Sequence, residues 1–261
     1  MQIAKENDLL SFEFTSKWTH VVSKYIIGIA SAYSGDIDYS EKLLRDALEL
    51  TSKQNKSFPI YKILQERIPV RISELYELKA SVAHRKWVET HDTIYIKELG
   101  EYLSNVENNR KNLPSVLFLR AIYSFAKERN ADEAINLLNK IKDRNNGTWH
   151  YNKAFLYCYK GDLKLAIRHY REAVFYSVEA SVLNQVEDFM CWVLAEEPDK
   201  YQILYCLGFF NWKAKGDEIQ AIKDFEAFLA RGKSGKFEKE RELAEQWLKD
   251  LKGTVDGRYT N

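Results

Sequence analysis

Apolar residues recur at spacings of three and four along most of this sequence, which is the pattern of amphipathic helices. For example, Leu163, Ala166 and Tyr170 fall on one face of a helix, while Lys164 and Arg168 point away from it. No segment shows sustained two-residue alternation between hairpin turns, which is the pattern that strands produce. The sequence therefore predicts an all-α fold.

Helix-breaking residues are few, and they fall between the apolar stripes. The chain of 261 residues has 11 glycines and 4 prolines. Each proline lies near the start of a new stripe, where the first turn of a helix tolerates a missing N–H. Gly35, Gly161 and Gly216 each separate two stripes, as a left-handed residue does at the end of a helix. The pattern predicts helices over residues 17–34, 38–54, 58–66, 70–89, 92–107, 114–128, 131–143, 148–160, 163–176, 179–195, 199–215, 218–230 and 236–251.

A degenerate repeat surrounds these three glycines, and each glycine is followed by an aspartate. Around Gly161, the small residues Ala154 and Ala166 stand on the two flanking helices, so the backbones of the pair can approach closely. Large residues such as Tyr170 fill the gaps toward the next pair. A fourth copy has Arg129 in the turn position. Because a helical pair of this size cannot bury its apolar face alone, we expect the copies to stack.

This pattern resembles the tetratricopeptide repeat (TPR), a helix–turn–helix unit of about 34 residues. The leading Trp of the family is replaced in every copy, and no copy carries the closing Pro. The resemblance implies a right-handed α–α superhelix, which is a solenoid of antiparallel helix pairs, in a single domain. That domain would span residues 1–252, with repeats at about 21–54, 115–146, 147–180 and 202–235, irregular helices at 58–107 and 179–198, a capping helix at 236–251 and a flexible tail at 253–261.

Charge and composition argue against several classes of protein. Basic and acidic side chains number 39 and 38, so the net charge is +1, which does not favour a general nucleic-acid or anionic-membrane binder. No apolar run approaches the roughly 18–20 residues of a membrane span. Cys158, Cys191 and Cys206 lack metal-ligand spacing, and we interpret them as buried residues in a reducing compartment, the cytoplasm. We expect no nucleic acid, membrane or cofactor as a partner.

Candidate catalytic and metal-ligating residues do not form a recognisable set. His84 and His91 are seven residues apart, but no third ligand follows at a matching spacing. Acidic pairs such as Glu196–Glu197 are explained by solvated helix faces or helix ends. The glycines are too widely spaced for a phosphate-binding loop, and no serine has the context of a nucleophile elbow. We therefore predict no catalytic residue, no metal site and no enzymatic activity.

The resemblance to TPR proteins assigns partner binding to one face of the first helix in each pair. An aromatic surface of this kind suits an extended peptide or an amphipathic helix with apolar anchors. The same residues have an alternative interpretation as core, in which the irregular helices cover this face. The groove positions of the family fall on Tyr25, Ile29, Tyr33, Leu119, Tyr123, Lys127, Tyr151, Phe155, Tyr159, Cys206, Phe210 and Lys213.

Three functions follow as hypotheses. The leading one is a non-catalytic scaffold or adaptor that binds a peptide or helical segment of a partner protein in the concave groove. A clamp for acidic C-terminal tails is not expected, because Tyr151 and Phe155 replace the Lys and Asn that such clamps use. One alternative is a regulatory sensor that binds a small peptide or metabolite within the superhelix. The other is an enzyme whose site forms between the helices at 70–107 and the acidic stretch at 187–197.

Overall fold

Helices provide the regular structure of the computed structural model, which describes residues 17–53, 59–144, 146–231 and 235–259. Among these residues 83% are helical and none is in a strand, so the predicted all-α class is confirmed. A π-helical turn, Asn211–Lys215, continues α10. The α-helices of the described residues are α1 (Lys17–Tyr33), α2 (Ile37–Ser52), α3 (Pro59–Thr90), α4 (Thr93–Ser104), α5 (Pro114–Glu128), α6 (Ala131–Lys140), α7 (Gly147–Lys160), α8 (Leu163–Val174), α9 (Ala180–Glu196), α10 (Gln202–Phe210), α11 (Glu218–Arg231) and α12 (Glu238–Tyr259).

The chain divides into two compact units, whereas the sequence predicts one continuous domain. The first unit extends to Tyr123 and the second begins at Ser124, so the boundary lies within α5. Consecutive helices pack as pairs in both units. The pairs are α1 with α2 and α3 with α4 in the first unit, and α7 with α8 and α10 with α11 in the second.

The Gly–Asp turns share one geometry, in which a left-handed glycine ends one helix and the aspartate starts the next. The φ angles of Gly35, Gly161 and Gly216 are 89°, 84° and 70°, a region that L side chains rarely adopt. The aspartate after each glycine accepts a hydrogen bond from the backbone N–H three residues later, at 3.2, 3.1 and 2.9 Å. Local bonds alone therefore end one helix and begin its neighbour.

Arg129 and Asn130 form the same kind of turn without glycine. Arg129 has a φ of 52°, and Oδ1 of Asn130 accepts a hydrogen bond from the N–H of Glu133 at 3.0 Å. The left-handed conformation costs a non-glycine residue roughly 1–2 kcal/mol. The guanidinium of Arg129 donates to Glu197 at 2.9 Å and to Glu196 at 3.2 Å, and these charged bonds offset that cost.

A small residue on the first helix of a pair lies against a large side chain on the second. A Cβ atom built on Gly28 would lie 3.1 Å from Leu44, and one built on Gly208 would lie 2.7 Å from the ring of Phe225. After Gly35, the N–H of Asp36 donates to the carbonyl of the residue five positions earlier. After Gly216, the N–H of Asp217 donates to the carbonyl six positions earlier, because the π-helical turn holds one extra residue. The register of α10 is therefore shifted by one residue relative to the other first helices.

The structure corrects the sequence prediction at two places. The sequence predicts a helix start at Pro69, but this proline lies inside α3, which continues from Pro59 to Thr90. Ile68 and Ile72 are buried on the same face on both sides of the proline, and their burial offsets the roughly 3 kcal/mol that an internal proline costs. The predicted tail at 253–261 is helical as far as residue 259, because α12 extends beyond the predicted cap.

Helix α12 covers the last helix pair of the second unit. Ala244 and Leu251 are buried, and the indole of Trp247 stacks on Tyr205 with ring centroids 5.5 Å apart. The Trp247 ring also lies 5.5 Å from that of Phe209. Most charged residues of α12 between Glu238 and Lys252 are exposed, so the buried face of the helix shields the apolar surface of α10 and α11 from water.

Candidate partner-binding surface

Helices α9 and α10 cover the part of α7 that the sequence predicts as a binding groove. Tyr151 is 2% exposed and Phe155 is 4% exposed. The ring centroid of Phe155 lies 4.9 Å from that of Phe189 on α9, and that of Tyr151 lies 5.6 Å from that of Phe210 on α10. Phe210 itself is fully buried. These three predicted site residues are therefore core, since their rings are in contact with the protein's own helices.

Tyr159, the last predicted position on α7, belongs to a polar network at the edge of that core. Its hydroxyl donates to Glu197 at 2.8 Å, and Nε of Arg129 donates to the same carboxylate. Burial and the hydrogen bond to Glu197 raise the pKa of Tyr159 to about 12. The guanidinium of Arg129 lies 4.8 Å from the ring centroid of Trp192 on α9. This network fixes the C-terminal end of α9 over α7.

The predicted positions on α5 and beyond α10 have mixed exposure. Leu119 is 5% exposed and belongs to the core of the first unit. Tyr123 is half-buried against Gly100, where an added Cβ atom would lie 2.5 Å from the tyrosine ring. Lys127 and Lys213 are exposed. Burial argues against partner binding by Leu119, and the two lysines contribute surface charge.

An apolar stripe on α1 is accessible to solvent. Tyr33 is 87% exposed and Ile26 is 59% exposed. Val22, Tyr25 and Ile29 are half-buried. At 3.6 residues per turn the five side chains fall within an arc of about 100°. The structure thus places two of the predicted site residues, Tyr25 and Tyr33, on one accessible helix face.

The other side of α1 packs against α2 and sets the direction of this stripe. Val21 is fully buried, and Gly28 lies close enough to Leu44 that no larger residue fits without a shift. At the edge of the contact, Nζ of Lys24 lies 3.0 Å from Asp46. These contacts hold α1 in one rotation about its axis, with the stripe turned away from α2.

Arg71 on α3 lies beside this stripe. Hydrogen bonds to Glu74 and to Tyr25 raise the pKa of Arg71, and its Nη1 lies 2.6 Å from the Glu74 carboxylate. Three apolar residues of α3 have exposures of 37–44%, and at 3.6 residues per turn they fall within about 80° of this arginine around the helix. We name the combined surface the α1–α3 face, and it consists of Val22, Tyr25, Ile26, Ile29, Tyr33, Ile60, Ile63, Arg71 and Leu78.

Across the described ranges, no three or more His, Cys, Asp or Glu side chains are placed to hold a metal ion. Neither protein-family models nor curated protein sequences match this chain. No described helix is both long enough and apolar enough to cross a membrane. Cys158 and Cys206 are buried as predicted, whereas Cys191 is exposed, and all three thiols are free.

Six residues of the α1–α3 face are absent from the positions that the sequence predicts, and Ile26 is the most exposed apolar side chain among them. The family positions on α1 are Tyr25, Ile29 and Tyr33, and Ile26 lies next to them on the outer side. The sequence feature that indicates Ile26 is the breadth of the apolar surface of α1, because Val22, Ile26 and Ile29 form a second apolar stripe beside the buried one. A helix that is apolar around so much of its circumference has more apolar surface than a single neighbour covers.

Proposed function

We propose that this chain is a non-catalytic scaffold of TPR-like helix pairs that binds a segment of a partner protein. The repeated turn geometry at Gly35, Gly161 and Gly216 supports this proposal, as does the pairing of consecutive helices in both units. In this proposal the pairs stack as a right-handed superhelix, since repeats of this size bury their apolar faces by stacking.

The α1–α3 face is the binding surface in this proposal. The joint exposure of Ile26 and Tyr33 carries the assignment, because apolar side chains that project together from a soluble helix mark interaction sites. Tyrosine adds a large contact area at a small entropic cost, and its hydroxyl supplies a hydrogen bond at the rim. Arg71, which is paired with Glu74, adds polar N–H groups at the edge of the face.

An amphipathic helix or an extended peptide with two or three apolar anchors is the partner segment that fits this surface. The stripe from Val22 to Tyr33 extends over roughly 16 Å at 1.5 Å per residue, which is about three helical turns. Anchors at positions i, i+3 or i+4 and i+7 of a partner helix match this length.

Affinity capture from a lysate of the source organism, with cross-linking and mass spectrometry, tests the proposed function. The full chain is compared with the double variant Ile26→Asp/Tyr33→Asp, in which both substitutions are at exposed positions. Ile219→Asp is the matched control, because Ile219 is 52% exposed on α11 in the second unit. Circular dichroism first establishes that all three chains are folded.

The proposal predicts a partner that the wild type and Ile219→Asp capture and that the double variant loses. Cross-links from that partner should reach residues of α1 or α3. A partner that all three chains capture equally would show that binding does not use the α1–α3 face. Capture of no protein by the folded wild type would contradict the scaffold function.

We also propose that the chain acts in the cytoplasm. The support is its three free cysteines, since thiols persist in a reducing compartment. A fluorescent fusion in cells of the source organism should give a diffuse cytoplasmic signal, and exclusive export of the fusion would contradict this location.

A further inference from the structure

Basic side chains and histidines gather around one buried tryptophan in the second unit. Nζ of Lys153 lies 4.6 Å from the ring centroid of Trp149, and the guanidinium carbon of Arg144 lies 5.7 Å from it. The rings of His150 and His169 lie 4.8 and 5.7 Å from the same indole. We name these five residues the Trp149 cluster. It lies in the second unit and is independent of the α1–α3 face.

Local structure fixes Trp149 and Lys153, the two residues at the centre of the cluster. Asn146 caps α7 by accepting a hydrogen bond from the N–H of Trp149 at 3.1 Å. Nε1 of Trp149 donates to the carbonyl of Leu138 at 3.0 Å, which ties the indole to the end of α6. Lys153 follows Trp149 by one turn of α7, and its ammonium group also lies 5.5 Å from the ring of Tyr157. The cluster is therefore held by the backbone of α6 and α7.

The two histidines meet across α7 and α8. Their Nδ1 atoms are 3.1 Å apart, so one ring donates a proton and the other accepts it. His169 stacks on Tyr157 and His150 stacks on Tyr176, with ring centroids 5.5 and 5.6 Å apart. Both histidines are half-buried and reach solvent, whereas Lys153 lies beneath them at 6% exposure.

Positive charge in this cluster is not balanced. Nζ of Lys153 donates to Oδ1 of Asn139 at 2.8 Å, which is a neutral acceptor, and no carboxylate in the described part of the chain lies within ion-pair distance of it. Burial and the charge of Arg144 lower the pKa of Lys153. Burial, followed by the charges of Lys153, His150 and Arg168, lowers the pKa of His169 to about 4. An uncompensated buried charge of this kind costs free energy.

Among the described residues, some hydrogen-bond donors of the cluster have no acceptor. An ammonium group has three N–H donors, and Asn139 accepts one of those of Lys153. Arg144 uses Nε and Nη2 on the carbonyls of Ile141 and Asn139, at 3.3 and 3.0 Å, which leaves Nη1. Arg168 is exposed on α8 beside His169. Glu172 is the acidic group whose charge acts on His150.

We propose that the Trp149 cluster binds a phosphate-class anion, with Lys153 as the central cation and Arg144 and the histidine pair at the solvent-facing edge. A doubly charged anion balances Lys153 and Arg144, and it accepts charge-assisted hydrogen bonds from both. The surrounding aromatic rings exclude water and strengthen these bonds. Free phosphate and the phosphate group of a larger metabolite present the same chemistry to this site.

Isothermal titration calorimetry of the full chain with sodium phosphate tests the proposal, with sodium pyrophosphate as a second arm that represents phosphate groups joined to a larger molecule. Both titrations are made at constant ionic strength set with sodium chloride. Lys153→Met removes the charge and keeps the apolar stem, and Lys164→Met is the matched control at an exposed position on α8. Arg144→Gln, at an exposed position, replaces Lys153→Met as the test if that variant does not fold.

We expect saturable binding to the wild type and to Lys164→Met. We expect affinity to fall by about tenfold or more in Lys153→Met or Arg144→Gln, as when one partner of a desolvated charge pair is lost. Without the anion, Lys153→Met should melt at the same temperature as the wild type or higher, because an unbalanced buried charge has been removed. Absence of heat from the wild type with both anions, or equal affinity in the wild type and the test variant, would overturn the proposal.

Discussion

Replacing Gly208 with alanine tests how closely α10 packs against α11. The new Cβ atom would lie 2.7 Å from two ring atoms of Phe225 and 2.9 Å from a third. Phe225 is 0% exposed, so its ring has no solvent-facing side into which to move. Overpacking of a core costs about 1–3 kcal/mol, and a helix gains about 1 kcal/mol when glycine becomes alanine. We therefore expect a net loss of about 1 kcal/mol in the free energy of unfolding.

Substitution of two other glycines by alanine provides reference values for this measurement. Gly253 is exposed in α12 and an added Cβ atom meets nothing within 4 Å, so Gly253→Ala should raise the free energy of unfolding by up to about 1 kcal/mol. In Gly28→Ala the new atom lies 3.1 Å from Leu44, and the two effects should nearly cancel. Urea unfolding followed by far-ultraviolet circular dichroism gives the midpoint of each variant. If Gly208→Ala resists urea as well as Gly253→Ala does, the close approach of α10 to α11 and the shifted register are refuted.

Three further substitutions test the core and the buried charges. Phe155→Ala should lower the free energy of unfolding by about 3–5 kcal/mol in urea titrations, and a loss below about 1 kcal/mol would show that this ring is not core. Burial disfavours the charge of Glu41, but hydrogen bonds from Lys79 and two neighbours outweigh it and lower the pKa of Glu41 to about 2. The carboxylate therefore stabilises the fold above pH 4.5, and Glu41→Gln should lower the free energy of unfolding there by about 1 kcal/mol after solvent screening. In urea titrations this loss should disappear as the pH falls to 2, and a loss that does not depend on pH would be evidence against this network. Burial lowers the pKa of His84 to about 4, so the stability of the wild type falls as the pH drops from 6.5 to 4. The melting temperature of His84→Phe should depend less steeply on pH in this range, and an unchanged dependence would contradict the burial of His84.

The repeat turns are the part of the fold that the sequence predicts well, because their bonds are local. At Gly161 a positive φ ends α7, and Asp162 accepts the N–H of Leu165, all within five residues. At Pro69 the local signal also exists, but it is outweighed by the burial of Ile68 and Ile72 against other helices. A sequence pattern records the cost of the proline and not the contacts that offset it.

The candidate site is predicted less well, because equivalent positions have different neighbours. Tyr151 and Phe155 on α7 occupy the same repeat positions as Tyr25 and Ile29 on α1, yet the first two are buried and the second two are only half-buried. The difference arises from two later helices, since Phe189 of α9 packs on Phe155 and Phe210 of α10 packs on Tyr151. Helical periodicity identifies an apolar face, but it does not say whether a later helix of the same chain covers that face.

The π-helical turn at Asn211–Lys215 lets one repeat lengthen while its ends keep their geometry. An extra residue in an ordinary α-helix rotates every preceding side chain by about 100° relative to the turn, which would bring a bulky residue against Phe225 in place of Gly208. Here the wider turn absorbs that rotation, and Gly216 and Asp217 keep the conformation of Gly161 and Asp162. A helix pair can therefore hold one more residue in its first helix and still place a small residue against the large side chain of its second helix. A comparison at fixed distances from the turn glycine then finds Phe209 where Gly208 makes the close contact, so this copy is more regular in its geometry than in its sequence.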